Sequence, residues 1–476
     1  MLQHFDQELA QKVLDLIHES LDLDKPTPII NYLDPQTRHN QVALDLPQTG
    51  LNADQLYEQI KTYINNSAKT YHPYFCNQLW SGFSFPSFLA EMVSTAFNTS
   101  MYTYETAPIA TMVEKKVITE CLNLAHFKQG EGIFTTGGSA SNMSALLAAR
   151  NHLDPSIAMD GYKHQALSLF VSKDAHYSFA KAANVIGLGI NNIYKINTLD
   201  NGKMDVSHLQ TCIEQSLKKN QTPFFVSATT GTTVRGAFDS INDIANITDR
   251  YKLWLHVDGS WGASVLWHKK YKDLMQGIER ADSLAWDAHK MLGLPLMCAM
   301  LLFKEKGMLA KAHKHGNSDK YIYRDEEANY NLGPISIQCG RKVDALKLYL
   351  TWQALGHEGM HDHIDGLYKQ ADFFTQWIEE HPSFKLFGPV ESLNICFQYI
   401  HPGYTQQQTN DLNLAIRTRL LHTGQAMINY AYIDDDLIIR LILANPNMQQ
   451  DQLHQLFKMI EKTALEILSQ KVRPYF

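Results

Sequence analysis

An acid and an amine stand in this chain where both could serve one aromatic cofactor. Asp258 ends the apolar run 254–257, and Lys290 follows further along the chain, directly after His289. A lysine amine can bind an aldehyde, and a buried carboxylate can keep a ring nitrogen protonated. Pyridoxal 5'-phosphate (PLP) needs both groups, so the pair predicts a PLP site. Taken singly, each residue has an ordinary explanation, as a solvated surface lysine and as an aspartate that caps a turn.

The segment 132–142 has the composition of an anion-binding turn. Gly137 and Gly138 allow the backbone to approach an anion, and an apolar helical pattern begins directly after them. A helix N-terminus offers free N–H groups and a favourable dipole, so we expect the phosphate here. The polar side chains expected to supply hydroxyl and capping groups are Ser139, Ser141 and Asn142. The alternative is an ordinary strand-to-helix turn.

Histidines supply two further candidates. His176 follows the apolar run 167–171, and its ring could stack on a pyridine ring, although a core or surface histidine is the simpler interpretation. The segments 313–315 and 361–363 each carry two histidines, but no carboxylate or cysteine set completes a ligand group. We therefore expect no metal.

Alternating elements are needed to position these residues. Short apolar runs at 167–171, 192–196, 224–227, 253–257 and 297–303 read as strands, and segments such as 206–217 and 241–251 read as helices between them. This alternation predicts a mostly parallel sheet, whose carboxyl edge is where ligands bind. The segment 25–47 reads as extended or irregular. A helix near 341–365, strands at 393–400 and 437–443 and a last helix near 450–469 predict a smaller α+β domain.

Composition excludes several kinds of partner. The chain has 476 residues, 45% of them hydrophobic and 19% charged, with a net charge of −7. This balance is that of a globular protein and argues against nucleic acid or an anionic membrane as a partner. The polar N-terminus shows no signal-peptide core, and the six cysteines form no CxxC pair. We therefore expect a cytoplasmic protein with free thiols.

Together these segments resemble the group II PLP-dependent amino-acid decarboxylases, most of all the glutamate and cysteine-sulfinate decarboxylase branch. The resemblance runs from about Tyr71 to about Pro446, and its motifs follow the family's order and spacing. They are residues 75–79, 98–105, 137–143, 176–178, 226–233, 256–258, 289–291 and 338–341, and Arg440 ahead of Asn445 and Pro446.

The resemblance implies an α/β architecture of PLP-dependent transferase fold type I, like that of aspartate aminotransferase. A large domain would hold a mostly parallel seven-stranded sheet flanked by helices, beside a smaller α+β C-terminal domain. We expect an N-terminal helical segment over residues 1–95 that embraces a partner subunit, the PLP-binding domain over 96–345, and the small domain over 346–476.

The resemblance also implies a role for individual residues. Lys290 would hold the cofactor's aldehyde, Asp258 would pair with its pyridine nitrogen, and His176 would stack on its ring. Tyr321, within the polar segment 312–331, would protonate the substrate carbon of the partner subunit. The other implied cofactor contacts are Ala140 and Ser141 at the phosphate, His289 close to it, Thr233 near the acid, and Ser260 on the second face of the ring. The implied substrate-binding residues are Gln78, Ser100, Tyr102 and Arg440.

The implied activity is decarboxylation of a small acidic L-amino acid, namely glutamate, aspartate or cysteine sulfinate, with release of CO2. The enzyme would be a carboxy-lyase and a homodimer whose active sites use both subunits. Other substrates, such as 2,4-diaminobutyrate or an aromatic amino acid, stay open. So do transamination or aldol-type cleavage on the same fold, and a binding protein that has kept the fold without catalysis.

Two departures from the family pattern lie beside the key pair. Ser260 stands where many relatives have alanine, and Asp287 stands where many have asparagine. A carboxylate close to a phosphate would repel it. Asp287 must therefore turn away from the phosphate or be bridged by a donor.

Overall fold

The structure, a computed structural model, describes residues 6–22, 27–162, 166–314, 322–323 and 329–471. Its contacts divide the chain into two compact units. The terminal unit comprises Met1–Gly82, Phe373–Phe387 and Ile395–Phe476, and the central unit comprises Phe83–Asp372 and Gly388–Asn394. The three domains with boundaries at residues 95 and 345 stay a prediction.

Helices are found in both units. In chain order they are α1 (Gln7–Leu21), α2 (Pro35–Gln41), α3 (Ala53–Asn66), α4 (Phe85–Phe97), α5 (Pro108–Leu124), α6 (Gly138–Leu153), α7 (Ile157–Asp160), α8 (Ser178–Val185), α9 (Val206–Lys218), α10 (Ile241–Tyr251), α11 (Met308–Ala312), α12 (Ala345–Glu380), α13 (Gln406–His422) and α14 (Gln450–Lys471). Helix α12 is interrupted at Gly356, whose φ of 66° is not helical. No helix in the described part of the chain combines the length and the apolar character needed to cross a membrane.

Strands form two sheets. In chain order they are β1 (Phe75–Cys76), β2 (Glu131–Thr135), β3 (Leu167–Ser172), β4 (Ile193–Ile196), β5 (Thr222–Thr229), β6 (Trp254–Asp258), β7 (Ser283–Asp287), β8 (Ala299–Phe303), β9 (Phe384–Leu386), β10 (Asn394–Tyr399), β11 (Met427–Ile433) and β12 (Asp436–Ile442).

The sheet of the central unit has seven strands in the order β2-β8-β7-β6-β5-β3-β4. Strands β3 to β7 are parallel, and β8 runs antiparallel to both of its neighbours, β2 and β7. The predicted mostly parallel, seven-stranded sheet is therefore confirmed. Ala299 of β8 pairs with Thr135 on one side and with Asp287 on the other. Strand β8 thus joins the strand before the predicted phosphate turn to the strand before Lys290.

The core of the central unit lies on the faces of this sheet. Every residue of β3, β7 and β8 is buried, as expected when helices cover a parallel sheet. Helix α6 packs across β5 to β8, while α9 and α10 pack against β5. This packing fixes the amino end of α6, and with it the turn that precedes the helix, relative to the sheet.

The sheet of the terminal unit has the order β1-β11-β12-β10-β9. Strand β1 is parallel to β11, and β11 is antiparallel to β12, so that Asn429 lies opposite Arg440. Two strand-like runs were predicted here, and β10 and β12 occupy them. Strand β11 was not predicted.

One prediction is wrong, and one further strand was missed. The segment 25–47 was predicted to be extended or irregular, but it contains helix α2, whose first turn is capped by the side chain of Asp34. Asp followed by Pro is a recognisable start of a helix, since Pro at the first position needs no N–H acceptor. Strand β7 was not predicted. It lacks β-branched residues, which weakens the strand signal.

Candidate active site

Two acids stand at the ends of neighbouring parallel strands. Strand β6 ends at Asp258 and β7 ends at Asp287, and the two strands pair with Asp258 opposite Ala285. The carboxyl ends of parallel strands share one edge of the sheet, which is where α/β folds bind ligands. Lys290 follows in the turn after β7, and its backbone N–H donates to the carbonyl oxygen of Asp287. The strand order therefore places the predicted acid and amine at one edge.

The amine of Lys290 lies against a buried carboxylate. Its Nζ is 3.1 Å from Oδ2 of Asp287, and the side chain of Lys290 is 22% exposed whereas that of Asp287 is 2% exposed. Nε2 of His289 lies 3.7 Å from the same oxygen. The second departure from the family pattern is thus resolved in this structure, because a cation bridges the unexpected acid. The remaining exposure of Lys290 leaves its amine open to a ligand.

Asp258 is held by donors on both carboxylate oxygens. Asn142 donates from Nδ2 to Oδ2 at 2.8 Å, and the backbone N–H of Ser260 donates to Oδ1 at 3.2 Å. Burial alone would raise the pKa of this carboxyl group. The positive charge of Lys290 and these hydrogen bonds outweigh burial, so the pKa of Asp258 lies below its ordinary value. The group is a carboxylate, as a partner for a protonated ring nitrogen must be.

His176 lies between β3 and α8 and is half-buried. Burial lowers the pKa of this imidazole, and the positive charge of Lys290 acts in the same direction, against the negative charge of Asp258. The ring is therefore a neutral, flat surface near neutral pH, which suits stacking on another ring. Its Nδ1 accepts a hydrogen bond from the backbone N–H of Ser178 at 3.3 Å, which fixes one edge of the ring.

The turn before α6 leaves space that only glycine permits. Gly137 has a φ of 116°, and a Cβ atom on Gly138 would lie 2.4 Å from Oγ of Ser260 and 2.9 Å from Oδ2 of Asp287. Within the first turn of α6 the backbone N–H groups of residues 138 and 139 have no acceptor in the helix. Together with the amine and the carboxylate, this narrow, donor-rich turn fits PLP.

Other residues predicted to bind the cofactor lie in the same unit. Ala140 is partly exposed in the first turn of α6, and the hydroxyl of Ser141 is buried, 2.8 Å from that of Thr135. Nδ1 of His289 lies 3.0 Å from the carbonyl oxygen of Cys298. Thr233 lies in the turn after β5, where its carbonyl oxygen accepts a hydrogen bond from Asn394. Their contacts with PLP stay predictions.

The substrate residues fall into two groups. Ser100 and Tyr102 belong to the central unit, next to residues 333 and 341: Gly333 donates to the carbonyl oxygen of Tyr102, and Oγ of Ser100 finds no hydrogen-bond partner within the described ranges. Gln78 and Arg440 belong to the terminal unit. Both contact Asn77, because Gln78 donates to its Oδ1 at 2.9 Å and Arg440 donates to its carbonyl oxygen at 2.9 Å. Tyr321 lies outside the described residues.

Three polar residues lie behind Asp258, and none of them was predicted as its neighbour. The Asn142 side chain was interpreted as part of the phosphate turn, but it bonds Asp258 instead. His256 lies 3.0 Å from Oδ1 of Asn142, and Ser283 lies 2.8 Å from the other ring nitrogen of His256. The signal for His256 was a polar residue inside an apolar strand, since a buried polar group must find partners. Within the described residues, no group of three or more His, Cys, Asp or Glu side chains could hold a metal ion.

Comparison with known proteins places this arrangement in a family. Residues 35–400 match the family described as "Pyridoxal-dependent decarboxylase conserved domain". The acidic amino acid decarboxylase GADL1 of Mus musculus is 36% identical over 438 residues, which cover 89% of this chain and 80% of that protein. The cysteine sulfinic acid decarboxylase of Rattus norvegicus is 33% identical over 453 residues, which cover 92% of each.

Solved structures agree with these matches. The crystal structure of mouse CSAD has a TM-score of 0.91 at 32% identity, covering 96% of this chain and 98% of that one. The crystal structure of Oryza sativa TDC with PLP and tryptamine has a TM-score of 0.90 at 20% identity, covering 98% of this chain and all of that one. At that identity the second structure shows the shared fold alone.

Proposed function

Because this chain belongs to the family of pyridoxal-dependent decarboxylases, we propose that its substrate is a small acidic L-amino acid. The protein is a PLP-dependent carbon–carbon lyase that releases CO2 from an amino acid. One observation carries the substrate class: relatives that are 33–36% identical over about nine-tenths of the chain are acidic amino acid and cysteine sulfinic acid decarboxylases. Aspartate, glutamate and cysteine sulfinate are the candidates.

The residues at the carboxyl edge of the sheet have separate roles toward the cofactor. PLP, when bound, supplies an aldehyde for the amine of the substrate and a ring that takes up the electrons left by the departing carboxylate. Lys290 would hold the aldehyde between turnovers, and its ion pair with Asp287 keeps its amine at the strand ends. Asp258, as a carboxylate, would keep the ring nitrogen protonated. His176 would cover one face of the ring, and Ser260 would face the other.

Substrate recognition is assigned to the remaining predicted residues. Arg440 is 7% exposed, and burial lowers the pKa of its guanidinium. The ordinary pKa of this group is so high that it stays charged. A buried cation next to the exposed Gln78 suits a substrate carboxylate. Ser100 and Tyr102 would distinguish between acidic side chains, and Tyr321 of a partner subunit would donate the proton that replaces CO2.

A substrate panel tests the proposal. Purified protein with PLP is assayed for released CO2 with aspartate, glutamate, cysteine sulfinate, 2,4-diaminobutyrate and tyrosine. We expect activity on at least one of the three acids, and a loss of at least tenfold in kcat/KM in Arg440→Met but not in the surface control Arg419→Met. Activity on tyrosine or diaminobutyrate alone would contradict the acidic substrate. A 2-oxo acid product without CO2 would indicate transamination.

We also propose that the protein is a homodimer. On helix α4 five exposed apolar side chains recur at the spacing of one helix face: Phe85, Leu89, Met92, Val93 and Phe97. Phe97 is 79% exposed, and on α5 Ile109 is 75% exposed. An apolar patch of this kind on one face of α4 marks an interface, and a second copy is the partner the family resemblance implies.

Sedimentation of the wild type and two variants tests the dimer. Phe97→Asp places a charge in the patch, so we expect it to sediment as a monomer and to lose activity if the sites use both subunits. Val185→Asp alters a side chain that is 71% exposed outside the patch and serves as the matched control. A Phe97→Asp variant that stays dimeric would rule out this surface as the interface.

We further propose a cytoplasmic location without nucleic-acid or membrane partners. All six cysteines are free thiols, five of them buried, as is usual in a reducing compartment. The net charge of −7 disfavours polyanionic partners. Localisation of a tagged chain in its native cell tests this.

A further inference from the structure

A line of hydrogen bonds runs through the sheet to the far side of Asp258. The indole N–H of Trp254 donates to Oγ of Ser283 at 2.9 Å, and that hydroxyl lies 2.8 Å from Nδ1 of His256. Nε2 of His256 lies 3.0 Å from Oδ1 of Asn142, whose Nδ2 donates to Asp258 at 2.8 Å. The line joins three elements, because Trp254 and His256 lie on β6, Ser283 on β7 and Asn142 on α6.

The chemistry of its two ends, together with a neutral His256 ring, fixes the direction of every bond. The Asp258 carboxylate can only accept, so Asn142 must present its NH2 group there and its Oδ1 to His256. That oxygen can only accept as well, so Nε2 of His256 must carry the ring proton. Nδ1 is then an acceptor. Ser283 supplies the proton that Nδ1 needs, since its oxygen is already occupied by an indole N–H that can only donate.

The surroundings of His256 hold it in that state. The ring is fully buried, stacks on Phe225 at a centroid distance of 5.7 Å, and meets the edge of Phe179 at 6.1 Å. Burial lowers its pKa to about 4, although the charge of Asp258 opposes the shift. The aromatic neighbours are apolar, so the ring can form hydrogen bonds only through its two nitrogens. Both nitrogens have a partner, Ser283 and Asn142.

We propose that Asn142 and His256 are positioning residues, which keep Asp258 ionised and in one orientation through a one-way line of donors. The inference rests on the proposed pairing of Asp258 with the ring nitrogen of PLP. Ser260 holds the other carboxylate oxygen. With a donor on each oxygen, the carboxylate plane is set before the cofactor arrives, and no rotation is needed to receive it.

The first test reads the proton on His256 in the wild-type holoenzyme. Protein labelled with 15N-histidine is examined by NMR, and the His256 signals are assigned by their absence from His256→Gln. We expect a neutral ring with its proton on Nε2 throughout pH 6 to 8. A proton on Nδ1, or a doubly protonated ring at pH 7, would overturn the proposal.

The second test removes the donor to the carboxylate. In Asn142→Leu we expect PLP to bind about 10- to 100-fold more weakly, the range of one hydrogen bond to a charged group. The pH at which the bound cofactor's absorbance changes should rise by roughly one unit, because a carboxylate that has lost a donor is a stronger base and its pair with the ring nitrogen holds the proton more firmly. Lys290 and His176, the other titratable groups that interact electrostatically with Asp258, are present in every protein compared.

The third test separates the line from general packing. His256→Phe keeps a ring but loses both nitrogens, whereas the amide of His256→Gln can still donate to Asn142 and accept from Ser283. We expect the pH midpoint of the absorbance change to differ from the wild-type value in His256→Phe. In His256→Gln it should lie close to the wild-type value. Ser283→Ala should shift it partly, while Ser168→Ala, which removes a buried strand hydroxyl 2.6 Å from Ser216, should not.

Asp258→Asn, measured alongside, distinguishes two kinds of failure. If it leaves PLP binding and absorbance unchanged, the pairing of Asp258 with the cofactor is wrong and the inference falls with it. If Asp258→Asn weakens PLP binding but folded Asn142→Leu does not, the pairing stands and the positioning line is refuted.

Discussion

Burial of a neutral His256 should make the protein sensitive to acid in a defined range. The unfolded chain takes up a proton on this side chain near pH 6.5, whereas the folded chain, with a pKa of about 4, does not. Stability therefore falls as the pH drops through the window between the two values. From pH 7.5 to pH 5, this one group should cost about 2 kcal/mol.

The perturbation is His256→Gln, which cannot titrate but keeps a donor toward Asn142. For the central unit of about 300 residues, about 2 kcal/mol corresponds to roughly 3 °C in Tm. Calorimetry with saturating PLP at pH 7.5 and pH 5 should show the Tm of the variant moving up by that amount relative to the wild type. His72, whose burial lowers its pKa to about 4 as well, is present in both proteins and cancels.

The exposed His357 provides the matched control, since His357→Gln removes a histidine from the surface of the same unit. Its Tm relative to the wild type should change little between the two pH values. If the gap between wild type and His256→Gln is the same at pH 7.5 and pH 5 to within about 1 °C, the buried ring is not held neutral and the argument for its proton position is refuted.

Three further outcomes follow from the site. Lys290→Ala should abolish both CO2 release and the yellow colour of the holoenzyme, read by absorbance, and a coloured, active variant would disprove its role. Glu114→Gln leaves the buried Arg341, bonded to both Glu114 oxygens at 3.1 and 3.2 Å, without its charge partner, so unfolding should be easier by about 3–5 kcal/mol, measured calorimetrically. Gly138→Ala should weaken PLP at least tenfold by equilibrium titration, because its Cβ would lie 2.4 Å from Ser260, whereas Gly366→Ala, with nothing within 4 Å, should not.

Local patterns were enough for much of the central sheet. The apolar runs at β3, β5 and β6 and the helical spacing of α9 and α10 are signals carried within one element, and the structure has each element within one or two residues of its prediction. The position of Asp258 was predicted in the same way, because ligands bind at the carboxyl ends of parallel strands in α/β folds.

What could not be predicted depends on pairing between distant segments. Nothing near Ser283 or Trp254 in the sequence indicates that a hydroxyl and an indole meet, since they lie on separate strands brought together by register. The bridging of Asp287 by Lys290 likewise required the turn geometry after β7. Strand β11 was missed because its sequence, MINYAYI, does not alternate clearly between apolar and polar residues. Its exposed positions carry tyrosines, which are themselves partly apolar.

The place of β8 between β2 and β7 also bears on how the protein is made. Ala299 pairs with both the strand before the predicted phosphate turn and the strand before Lys290, and it is translated more than 150 residues after Thr135. A nascent chain that has already released the glycine turn and Lys290 from the ribosome still lacks the strand that unites them. We therefore expect capture of PLP to require synthesis as far as Phe303, so chains truncated before β8 should be unable to retain it.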